Sequence, residues 1–259
     1  MSIDDELGRN LAADRFKPHP GKDAKAPKPK RFYKDVDIRE EEGGFAITLD
    51  GRVVKTPAKA VLRVPAEALG RAIAGEWDAQ KEHIDTFSMP LTKLANTAID
   101  RISAQRAAVI DEVMNFAGTD LLCYRADFPE ALAERQAAQW QPLLDWAEES
   151  FGARLAITAS VLPLEQDASH LARLRGPVEG MDDFELSGFS SLTALTGSLI
   201  IALAVHHRHI TPEAAYEAAH LDEAFQAEQW GEDAEARDRL VARRGAIEAA
   251  GRFLALLGR

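Results

Sequence analysis

With 259 residues, 46% of them hydrophobic and 28% charged, the chain is long enough to bury a core, as one large domain or two small ones. A net charge of −11 argues against a nucleic-acid backbone or an anionic membrane as main partner, because phosphate binding needs clustered Lys and Arg. One cysteine, Cys123, excludes an internal disulfide and points to a reducing compartment.

The first ten residues, MSIDDELGRN, hold three carboxylates and no apolar run, which fits neither a secretory signal nor an acidic-poor transit peptide. A bacterial cytoplasm is therefore the expected location. Residues 1–30 read as a flexible Lys/Pro-rich tail with little to bury. Residues 31–88 read as a small β-rich domain. Phe32, Val36 and Ile38 lead into a turn over 40–44, and Phe45, Ile47 and Leu49 then alternate at strand period. Asp50-Gly51 is the dipeptide a type I′ hairpin prefers, and Val53-Val54 and Val61-Leu62 offer further short strands. After Pro65 the period turns helical to about Glu82. Leu69, Ile73 and Trp77 share a stripe with Ala72 and Glu76 beside it, so the last turn carries an indole between Glu76 and Asp78. A surface of that kind suits recognition better than reaction.

Residues 89–259 read as a mainly helical domain. Leu91, Leu94, Ala95, Ala98 and Ile102 share one helical face, and Val109, Ile110 and Val113 continue it. A helix over 129–150 directs Leu132, Trp140, Leu143, Leu144 and Ala147 inward, and Gly152 permits its stop. Residues 154–164 alternate weakly, as one extra strand would. The uncharged run 186–205 is just long enough to span a bilayer, but its crowded Ser and Thr suit a buried core helix instead. Thr211-Pro212 has the form of an N-cap with Pro at the first helical position, and 233–257 closes the chain as a helix.

Chemistry-bearing residues are sparse. His206, His207 and His209, with His220 further on, form the one metal-like cluster, yet no Asp, Glu or Cys stands at familiar ligand spacing, and a polar helix end explains them. Cys123 follows two leucines and reads as a core thiol, with nothing nearby in sequence to lower its pKa. No phosphate-cradling glycine motif occurs. Glu40-Glu41-Glu42 and Asp182-Asp183 read as solvated turns. The segment LDEAFQAEQWGE stands apart: Asp222, Phe225 and Gln229 take one side of a helix, while Glu223, Gln226 and Trp230 line another at i, i+3 and i+7. A carboxylate, an amide and an indole on one stripe make either a binding surface or a helix end whose Trp caps the core.

Taken in order, RFYKDV, LDGRVVKTP, VPAEALGRAIAGEWDAQ, MPLTKLANTAID, TDLLCYRA and LDEAFQAEQWG resemble the assembly chaperones that escort the α subunit of ATP synthase's soluble catalytic sector. The resemblance covers residues 31 to about 231. It implies an α+β fold, with a small β-rich N-terminal domain packed on a mainly α-helical C-terminal domain. It also implies a protein that is not an enzyme, with no cofactor, metal or small-molecule substrate, no nucleic acid and no membrane insertion. Its partner would be the free α subunit, kept from aggregating until it pairs with β. The family's EWDAQ indole falls on Trp77, flanked by Glu76 and Asp78. Its acidic position in the last block falls on Glu223, with Glu228 as the alternative, and Gln226 and Trp230 join them as expected partner contacts. Mitochondrial members carry import sequences; the Lys/Pro-rich start here favours a bacterial member. The rival expectation is a small cytoplasmic hydrolase using Cys123 or the cluster of His206, His207 and His209.

Overall fold

A computed structural model describes residues 28–160, 162–231 and 234–258. The expected tail lies outside them except for residues 28–30. Four short strands form one antiparallel sheet: β1 (Val36–Glu41), β2 (Gly44–Leu49), β3 (Arg52–Val53) and β4 (Arg63–Val64). β1 pairs along the whole of β2, from Val36 opposite Leu49 to Glu41 opposite Gly44. β3 and β4 pair with the two ends of β2. Asp50 and Gly51 take φ of 48° and 76°, the left-handed pair that a type I′ turn needs. The Asp50 carboxylate also accepts the amides of Lys34 (3.0 Å) and Asp35 (2.9 Å), which anchors the chain entering β1. Gly44 is obligatory: its φ is 133°, and a Cβ there would lie 2.2 Å from the Val64 carbonyl oxygen.

The glutamate run splits between two settings. Glu40 and Glu41 are on β1, and Glu41 pairs with Arg39 and Arg63, so it is not a free turn residue. Helix α1 (Glu67–Asp78) then buries Leu69 and Ile73 as the stripe predicted, with Trp77 half-buried.

The helical part comprises α2 (Pro90–Thr97), α3 (Ser103–Gly118), α4 (Glu130–Phe151), α5 (Ala168–Glu179), α6 (Asp183–Thr196), α7 (Leu199–His206), α8 (Pro212–Ala219), α9 (Leu221–Trp230) and α10 (Ala234–Leu256). A π-helical turn, Ala98–Ile102, interrupts the face read as continuous from Leu91 to Ile102. In α4 the five residues expected inside are buried, and Gly152 ends the helix at φ 66°. One continuous core runs from Tyr33 to Leu257, so the two parts share an apolar interior.

Three expectations require correction. Residues 154–164 are not a strand: only Thr158 bridges to Tyr124, and the Gln166 side chain takes a strand partner's place by accepting from the Ala156 amide (2.8 Å) and donating to its carbonyl (2.9 Å). The run 186–205 is not one helix, because Gly197 at φ 69° ends α6 and Ser198 caps α7. Among the described residues no helix is long and apolar enough to cross a membrane. The small polar residues of α6 are satisfied internally: Ser187 donates to the Leu94 carbonyl (2.8 Å), Thr193 to Phe189 (2.9 Å) and Thr196 to Leu192 (2.9 Å). Asp182 and Asp183 are likewise not simply solvated. Asp182 forms a capping box with Glu185, and Asp183 pairs with Arg106 at 3.0 Å.

Two positions yield expected outcomes. A Cβ on Gly251 of α10 would stand 2.4 Å from Cγ of Pro212, the rigid first residue of α8. Gly251→Ala is expected to cost roughly 1–3 kcal/mol by overpacking, read as a lower urea midpoint. Asp120 is fully buried, accepting the amides of Leu122 and Ile200 at 3.1 Å each, and burial pushes its carboxyl from 3.8 up to about 6. The folded state therefore holds this proton more tightly than the unfolded chain. The resulting stabilisation is complete below the unfolded value and is lost as pH rises through about 6. Between about pH 4.5 and about pH 7 the wild type should lose roughly 2 kcal/mol relative to Asp120→Asn, measured by denaturant titration of both.

Candidate partner-binding site

The EWDAQ segment lies where the sheet meets the helices. The Glu76 carboxylate accepts from the amides of Leu91 (2.7 Å) and Thr92 (2.8 Å) and from the Thr92 hydroxyl (2.7 Å), so it caps α2 from another element. Burial raises its pKa, against those hydrogen bonds. Tyr33 packs edge-on against Trp77 at 5.9 Å and donates to the Trp77 carbonyl at 2.7 Å. The Trp77 Nε1 is buried with no hydrogen-bond partner among the described residues. Asp78 accepts from Arg31 at 3.1 Å, and the same guanidinium donates to the carbonyls of Tyr33, Lys34, Asp78 and Gln80. Glu76, Trp77 and Asp78 thus stand together at a junction, their polar groups mostly turned inward.

Helix α9 has two contrasting sides. On one, Phe225 is buried, Asp222 accepts from Gln136 at 2.7 Å, and Glu228 receives both arms of Arg135 at 2.8 and 3.0 Å. Arg135 also covers the Phe225 ring, so this side is fixed to α4. Glu228 therefore faces away from Glu223.

On the other side Glu223, Gln226 and Trp230 come together, lining one cleft of about 400 Å³. Its far wall is α10, which contributes Ala236, Arg239, Leu240 and Arg243. Trp230 is 79% exposed, which excludes the alternative in which it caps the core. Across 234–245 only Ala236 and Leu240 are half-buried and the other ten residues are exposed, so the first three turns of α10 stand out from the body. Such a stretch gains little from burial and is held by its continuity with the buried Ile247 to Leu254 and by i,i+4 pairs such as Glu235–Arg239. Sequence reading found one wall of the cleft and missed the other. The signal was present: AEARDRLVARR is helical in propensity but lacks the apolar stripe a packed helix requires.

The rival chemistry has no reactive geometry. Cys123 is wholly buried, and burial pushes its thiol up to about 12. His206 lies 3.6 Å from Glu185 and edge-on to His207 at 5.3 Å, while His207 and His209 both pack on Trp146, so the rings are taken up in ring packing, and among the described residues no group of His, Cys, Asp or Glu could hold a metal ion. Burial lowers the pKa of both His206 and His207.

The chain is similar to several known proteins. The ATP12 chaperone protein family matches residues 30–148. The mitochondrial protein atp12 of Schizosaccharomyces pombe is 27% identical over 218 residues, covering 79% of this chain and 75% of that protein. The crystal structure of Atp12 from Paracoccus denitrificans superposes with a TM-score of 0.84 at 45% identity, over 88% of this chain and 98% of that one. The Atu1473 protein from Agrobacterium tumefaciens gives 0.86 at 41% identity, over 97% and 98%. The α+β architecture is shared with these structures, and the family is one of chaperones rather than enzymes. From its capped sheet-to-helix junction to its last helix, this chain belongs to the ATP12 chaperone family.

Proposed function

We propose that the protein is an assembly chaperone for the catalytic sector of F-type ATP synthase, acting in the bacterial cytoplasm. It binds the free α subunit and masks the surface that subunit later buries against β. An orphan subunit exposes apolar interface and aggregates. Its escort must hide that interface yet yield to the larger permanent contact with β. One observation carries the reading: an indole four-fifths exposed, flanked by Glu223 and Gln226 on the rim of an open cleft. A monomer gains nothing by displaying such a group, whereas tryptophan is enriched at the anchoring points of interfaces. The affinity required is modest, so a few anchors suffice and neither nucleotide nor metal enters the cycle. Co-purification with separately expressed α and β subunits tests this. Free α should be captured, and β and the assembled ring should not. Capture of β alone, or of neither subunit, would refute the proposal.

A further inference from the structure

The cleft between α9 and α10 is lined by more basic than acidic side chains, against the acidic balance of the whole chain. The protein carries −11 overall, yet residues 234–245 hold four arginines and two carboxylates. Two of those arginines, Arg239 and Arg243, line the cleft, against the single carboxylate of Glu223. Neither guanidinium is strongly committed. Among the described residues Arg239 pairs only with Glu235, one turn away on the same helix, and with both side chains more than half exposed that pair is weak. Arg243 forms no ion pair with a carboxylate among the described residues.

The two helices set the order of groups along the cleft. Trp230 ends α9 and Ala236 lies in the first turn of α10, whereas Glu223 is in the first turn of α9 and Arg243 lies two turns further along α10. The stripe from Glu223 to Trp230 spans about 10 Å at helical rise. A volume of about 400 Å³ is too small for a whole helix but sufficient for one or two inserted side chains.

We infer that the cleft receives an acid-flanked apolar anchor of the partner: a large apolar side chain packed on Trp230 and Leu240, with a neighbouring carboxylate bridged by Arg239 and Arg243. Two arginine forks around one carboxylate give charge-assisted, directional recognition, while the indole supplies apolar area. Glu223 restricts this to an anchor whose carboxylate sits toward the guanidiniums, because a second acid at its own position would be repelled. The two guanidiniums also attract an acidic segment toward the cleft.

The inference rests on the α-subunit reading above. Its test measures capture of isolated α subunit at low and at high salt by wild type, the double variant Arg239→Gln with Arg243→Gln, and the double Lys variant. The Gln variant should bind at least about tenfold more weakly at low salt and lose most of the salt dependence, and the Lys variant should recover part of both. Both side chains are exposed, so the melting temperature should hold. Equal capture by wild type and the Gln variant would overturn the acid-anchor inference and leave the chaperone reading intact. Weaker capture with an unchanged salt slope would overturn it too, since the arginines would then act only structurally. Failure of wild type itself to capture α would overturn both.

Discussion

Trp230→Ala is expected to weaken capture of the α subunit by roughly 30-fold or more, the loss that defines an anchoring residue, while the melting temperature stays within about a degree. The two parts of this expectation have different origins. Trp230 is mostly in water, so truncating it leaves no cavity and costs little folding free energy. Among the described residues lining the cleft it is the largest apolar group, and Ala227 and Leu240 beside it cannot replace its area. Calorimetric titration of wild type and variant against isolated α checks the first part, and thermal unfolding by circular dichroism checks the second. A variant that binds normally would remove the indole from the interface.

Glu76→Ala is expected to show the opposite division: a loss of roughly 3 kcal/mol in stability, with binding by the surviving folded fraction near normal. Removing this carboxylate leaves two helix-start amides and one hydroxyl without their acceptor at the junction of sheet and helices, and each buried, unsatisfied donor costs about 1–3 kcal/mol. The same knot includes Trp77, so Trp77→Arg should also lower the melting temperature by placing a charge against Tyr33 in a half-buried site. Unfolding curves of both variants, read beside capture of α, separate structure from contact. Lost binding at an unchanged melting temperature would move this motif from the scaffold to the interface.

The parts of this protein that were legible in its sequence are those fixed by local patterns. The change of period after Pro65, the Asp50-Gly51 turn, the inward face of α4 and the Thr211-Pro212 start of α8 each rest on a few neighbouring residues. What escaped depends on distant ones. Gln166 occupies the place a strand would take beside Ala156, and no pattern in 154–164 reports a side chain ten residues away. Helix α5 carries Gly176-Pro177 within it, a pair unfavourable to helix, although Leu171, Leu174 and Val178 mark its inward side. The split at Gly197-Ser198 is written in cap chemistry, but it lies inside a run of twenty uncharged residues that reads as one helix. At the candidate site the helical period placed Glu223, Gln226 and Trp230 on one stripe, and the fold does bring them to one cleft. The opposing wall required knowing that α10 folds back from Gly231, which is a tertiary fact. Glu228, five residues on from Glu223, falls about 140° around the helix by period alone, and Arg135, 93 residues away, holds it on that side.

We propose that the protein works by covering a face of an orphan subunit with α9 and α10. Hydrogen–deuterium exchange of the chaperone, alone and with isolated α subunit, tests it most directly. Slowed exchange concentrated within residues 223–243, with little change at the EWDAQ junction, is the predicted result. Complex formation that leaves 223–243 as open as in the free protein, with protection arising elsewhere, would contradict it.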